Sequence, residues 1–72
     1  NDLALAAEVR ASIMDIQYDI DVQADDGHVF VQTHASPAMQ QELREKIQAI
    51  VGRIHGVKDT TIRLTRITPY GD

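Results

Sequence analysis

The stretch Asp19-Ile20-Asp21-Val22-Gln23-Ala24-Asp25-Asp26-Gly27-His28-Val29-Phe30-Val31-Gln32 decides the fold. From Asp19 the hydropathy alternates with a period of two. Ile20, Val22 and Ala24 fall on one side, and Asp19, Asp21 and Gln23 on the other. Successive strand side chains point to opposite faces, so this is the pattern of a half-buried strand. At Asp25-Asp26-Gly27 the alternation breaks on turn residues, because glycine tolerates positive φ and aspartate can bond its own backbone. It then resumes with Val29 and Val31 against His28, Phe30 and Gln32. Two strands about an Asp-Gly turn make a hairpin.

Outward from the hairpin, both flanks read as helices. On the N-terminal side Leu5, Val9, Ile13 and Ile16 recur at intervals of four, four and three, among the strong helix formers Ala4, Ala6, Ala7 and Ala11. With Asp2 as cap, the spacing predicts a helix from about Leu3 to Met14 or slightly beyond. On the C-terminal side Ser36-Pro37 offers a hydroxyl cap followed by proline at the first helical position, where its missing N–H costs nothing. Met39, Leu43, Ile47, Ile50, Val51 and Ile54 then form the apolar stripe of a second helix, with Glu42 and Lys46 one turn apart. Gly52 suggests close packing or a weak last turn, and Gly56 is the expected left-handed terminator. A third strand is expected over about Thr60 to Ile67, with Ile62 and Leu64 inward and Arg63 and Thr65 outward. Pro69 should end it, leaving residues 69–72 as a tail. The order αββαβ predicts an α+β fold, a three-stranded mixed sheet with two helices packed on one face. The third strand could return beside either of the other two.

The chain has 72 residues, 43% of them hydrophobic and 25% charged, which is ordinary globular usage. That is room for one small domain, expected over residues 1–68 and excised from a longer protein. No apolar run approaches the roughly 20 residues of a membrane-spanning helix. With no cysteine, disulfides, thiolate metal sites and a cysteine nucleophile are excluded. Tyr18, Phe30 and Tyr70 are the only aromatic residues, so the core must come from Ile, Val, Leu, Ala and Met, and help from an oligomer or a neighbouring domain would suit so small a core. The net charge of −4 is unevenly placed: residues 1–36 hold seven acids and one base, residues 37–72 four acids and six bases. The positive field of a nucleic-acid binder is missing.

This order of elements, with these residues, resembles the BON domain, a module of bacterial osmotic-shock, secretin-associated and other envelope proteins. Three stretches carry the likeness. Leu5-Ala6-Ala7-Glu8-Val9-Arg10-Ala11-Ser12-Ile13 is similar to the family's opening helix, and Asp26-Gly27-His28-Val29-Phe30-Val31 to its hairpin turn and second strand. Ile54-His55-Gly56-Val57-Lys58-Asp59 is similar to its Gly-Val step into the third strand. The likeness runs from about Asp2 to Leu64. Thr33 stands where family members usually carry glycine, and Ile62 where they often carry asparagine, which marks a divergent member. The resemblance implies a non-catalytic module associated with phospholipid attachment and protein contacts, in the bacterial periplasm or envelope.

The residues themselves assign no catalytic, cofactor or metal site. His28 and His34 share a strand face, but six residues of strand hold them about 20 Å apart. His55 is expected at the second helix's C-terminus, where the dipole favours positive charge. Asp15, Asp19, Asp21, Asp25 and Asp26 straddle a helix end, a strand face and a turn instead of a calcium loop. No acid–base–nucleophile pattern surrounds Ser36 and His34.

The face of the sheet away from both helices is the candidate partner-binding surface: Phe30, Arg63, Gln32, His28 and Thr65, in the company of Asp21, Gln23 and Ile67. Arg53, Lys58 and Arg66 are candidates for lipid phosphates. With Arg63, they could instead pair with acids of the first strand, if the two strands are neighbours, and that is the reading favoured. The expected function is a binding module that attaches its parent protein to a phospholipid surface or an envelope protein. The alternative is a regulatory, docking or oligomerisation domain of a larger, cytoplasmic enzyme. A homo-oligomer is among the expected partners, and nucleic acid is not.

Overall fold

The computed structural model of the chain describes residues 1–16 and 19–66, with the side chain of Arg66 outside the description. Five elements follow in order: α1 (Asp2–Ile13), β1 (Ile20–Asp25), β2 (His28–Ala35), α2 (Gln40–Val51) and β3 (Asp59–Arg66). The fold is α+β, and the sheet is mixed. β1 pairs antiparallel with β2, and β2 pairs parallel with β3, in the order β1-β2-β3. This resolves the open placement of the third strand: it lies beside β2. Ile67 and the tail at residues 69–72 lie outside the described residues.

The hairpin turn is the tightest available. Asp26 and Gly27 both take positive φ, 51° and 85°, which is the two-residue turn whose twist matches that of its flanking strands. Burial along β2 alternates strictly, with Val29, Val31, Thr33 and Ala35 buried and His28, Phe30, Gln32 and His34 exposed. Val29 and Val31 meet Val9 and Ile13 of α1, Ile47 and Val51 of α2, and Ile20 and Ile62 of the outer strands in one core. Both helices therefore cover the valine face and leave the Phe30 face open. No described helix is long and apolar enough to cross a membrane.

The element ends depart from the sequence reading in four places. Asn1, not Asp2, caps α1: its Oδ1 accepts from the Ala4 N–H at 2.8 Å. Asp2 is the first helical residue, and its carboxylate accepts from the Asp26 N–H at 3.1 Å, tying the helix start to the hairpin turn. The helix stops at Ile13, so Ile16 lies beyond it and is partly exposed.

Ser36-Pro37 opens a separate turn, in which the Met39 N–H donates to the Ser36 carbonyl at 2.9 Å. α2 begins only at Gln40, with Met39 in the cap position, 48% exposed and outside the apolar stripe. α2 ends at Val51 with Gly52 as its cap in helical conformation. The chain then tightens through i→i−3 bonds from Arg53 to Ile50, Ile54 to Val51 and Val57 to Ile54. Gly56, at φ +99°, belongs to that loop and not to the helix, and His55 beside it sits away from the helix terminus. The Glu42–Lys46 pair does form, at 3.8 Å on an exposed face.

Candidate functional site

The open face is a grid set by strand register. Its central row is Gln23–Phe30–Thr61, and the next is Asp21–Gln32–Arg63, each reading across β1, β2 and β3. All six side chains are exposed, and together they line a shallow depression. Phe30 stands in the middle strand of this otherwise polar surface with 47% of its area exposed. Directly opposed residues in either kind of ladder point to the same face, so alternation along each strand suffices to assemble the grid.

The ends of the face are occupied by internal bonds. Toward the hairpin, His28 Nδ1 lies 2.9 Å from Asp59 Oδ2, with Asp25 across β1 in the same row. At the other end the His34 Nδ1 and the Thr65 hydroxyl are hydrogen-bonded, and Thr65 also donates to the Thr33 carbonyl at 3.2 Å. Of the residues singled out from sequence, Phe30, Gln32 and Arg63 thus form the accessible centre. His28 and Thr65 flank it at either end. Thr61 completes the centre and was missed, although its parity with Arg63 and Thr65 carries the signal.

The basic residues do not gather. Arg53 is exposed just past α2, Lys58 lies at the hairpin end, and Arg63 is on the open face. Arg66 closes β3, with its side chain outside the described residues. Among the described side chains the favoured pairing of these bases with first-strand acids does not form, and β2 lies between β1 and β3. Lys58 instead reaches the turn residue Asp26, Nζ to Oδ2 at 3.5 Å. Around that pair the hairpin end collects Asp2, Asp25, Asp26 and Asp59.

Two further polar contacts hold the strands under the site. The Thr33 hydroxyl, buried on the helix side, donates to the Asp19 carbonyl at the start of β1. Arg44 of α2 donates from Nη1 to the Ile62 carbonyl of β3 at 2.9 Å. Among the described residues no cluster of three His, Asp or Glu side chains is placed to hold a metal ion. Comparison of the chain with protein-family models, with curated proteins and with solved structures found no match.

Proposed function

We propose that this chain is a non-catalytic docking domain that attaches the polypeptide carrying it to a partner through the uncovered face of its sheet. Phe30 carries the reading. It is a large aromatic ring at the centre of a polar face, on the middle strand, with neither helix over it. Covering its exposed half is worth about 1 kcal/mol. An aromatic anchor ringed by polar groups is the usual make-up of an interface centre. The resemblance to the BON family supports the same class of function, attachment at the bacterial envelope to phospholipid or to an envelope protein. A regulatory or oligomerisation domain of a larger enzyme would use the same surface.

Between lipid and protein, the charge distribution favours protein. Lys58 is engaged by Asp26, and the surrounding acids of the hairpin end would repel an anionic headgroup layer. Among the described residues Arg63 is alone among the bases in sharing the Phe30 depression.

An amide NMR titration of the 72-residue chain with phosphatidylglycerol vesicles, and separately with neutral vesicles, tests the assignment. Unchanged spectra in both arms, expected here, leave a protein as the partner. Loss of the Phe30, Gln32, Thr61 and Arg63 signals with the anionic vesicles alone, reversed by salt, makes the partner a lipid surface on the same face. Perturbation confined to α1 and α2 overturns the open face as the docking surface.

A further inference from the structure

Resting on that docking reading, we infer that the open face takes a second copy of this chain, packed sheet to sheet about a two-fold axis running along β2. The starting point is the row Asp21–Gln32–Arg63, an acid on one outer strand and a base on the other. Neighbouring strands lie about 4.8 Å apart, so roughly 10 Å separates the two charged positions. No ion pair bridges Gln32 to join them in the structure. Among the described residues neither has an ion-pair partner.

A two-fold axis along β2 exchanges left and right while keeping each row opposite its own image. β1 of one copy then faces β3 of the other. Asp21 meets the second copy's Arg63, and Arg63 meets the second copy's Asp21, so a single row closes two ion pairs. In the adjacent row Phe30 lies on the axis against its own image, and the Gln23 amide of each copy faces the Thr61 hydroxyl of the other. Such an interface is isologous, which a surface must be self-complementary to form. The other in-plane axis, across the strands, stacks β1 on β1: through the Asp21 row it sets Asp21 against Asp21 and Arg63 against Arg63, and through the Phe30 row it sets Asp21 against Asp25. Either way Asp21 meets a carboxylate, which disfavours that axis.

Twisted sheets packed face to face cross at about 30° and diverge away from the axis. The row Asp25–His28–Asp59 therefore falls toward the rim, where water screens its acids and His28 already holds Asp59. Three strands of up to eight residues present about 14 by 26 Å, so two copies bury roughly 700 Å² in all. Stable complexes begin near about 1,200 Å², which places this pair among weak, transient associations. It gains strength wherever a longer polypeptide or a shared surface holds two copies close together.

Sedimentation equilibrium of the 72-residue chain up to about 1 mM, the range in which weak pairs appear, tests this directly. The variants are Asp21→Arg and Arg63→Asp, both at exposed positions, with their folding checked by circular dichroism. Each alone opposes like charges at both pairs and should weaken self-association at least about tenfold. Mixed together, the all-basic and all-acidic faces should form a heterodimer within about threefold of the parent affinity. A parent chain that stays monomeric throughout overturns the dimer and leaves the docking reading to the vesicle experiment. Self-association undiminished in both variants, with amide shifts on the helices, overturns the dimer and the open-face reading together.

Discussion

The Lys58 N–H donates to the Gly27 carbonyl at 2.7 Å, so the chain entering β3 is bonded to the turn that joins β1 to β2. Gly27 is buried, at φ +85°, and a Cβ there would come within 2.8 Å of Lys58 Cγ and 3.0 Å of the Gly56 carbonyl. The approach of loop to turn requires glycine on both conformational and steric grounds. Gly27→Ala should therefore cost about 2–4 kcal/mol, the sum of left-handed strain and overpacking. Gly56→Ala shares the positive φ but would meet only Leu5 at 3.8 Å, and should cost about 1–2 kcal/mol. Urea denaturation of the two variants checks the order, and equal losses would show that the close approach is unimportant.

Lys58→Ala separates the backbone bond from the side chain's ion pair. The Lys58–Asp26 pair is largely exposed, so its loss should change stability by no more than about 0.5–1 kcal/mol. The N–H bond to Gly27 is retained by alanine. A much larger loss in a thermal melt would assign the side chain a role that solvent exposure argues against.

Thr33 is 2% exposed and donates to the Asp19 carbonyl. Thr33→Val keeps shape and strand preference but leaves that carbonyl without its hydroxyl donor. A cost of about 1 kcal/mol is expected, with faster amide exchange at the start of β1. An unchanged or raised midpoint would mean that water replaces the hydroxyl without penalty.

Ile47 is fully buried between the helices and the sheet, whereas its neighbour Gln48 is exposed. Ile47→Ala should cost about 2–5 kcal/mol and Gln48→Ala less than about 0.5 kcal/mol. A domain of this size holds only about 3–5 kcal/mol from its core, so the first variant should be largely unfolded in circular dichroism at 37 °C.

Phe30→Thr tests function against stability at one position. Threonine suits a strand, and the ring contributes nothing to the valine core, so the cost should stay under about 1 kcal/mol. Self-association and any docking through the face should both be lost. A destabilisation of several kcal/mol would instead make Phe30 a structural residue.

Reading the chain alone recovers the features encoded locally. The period-two runs about Asp26-Gly27 specify the hairpin, because side-chain alternation and a positive-φ turn are properties of adjacent residues. The stripes through Val9 and Ile13, and through Ile47 and Val51, specify two helices with faces to bury. Strand parity likewise places Phe30, Gln32 and Arg63 on the uncovered face.

Element ends were harder to read, since several residues compete to cap and the contacts that choose between them are remote. Asp2 is released from capping α1 to bond Asp26, 24 residues away. Ser36 is spent on a turn before α2 begins. Only tertiary structure decided that β3 lies beside β2, because that choice depends on where the loop after α2 lands, and it lands on Gly27. The same choice put Asp21 and Arg63 in one row with Gln32 between them, turning a suspected internal ion pair into two separated charges. Local sequence sets which way a side chain faces; which residues become its neighbours across a sheet is set by chain closure over tens of residues.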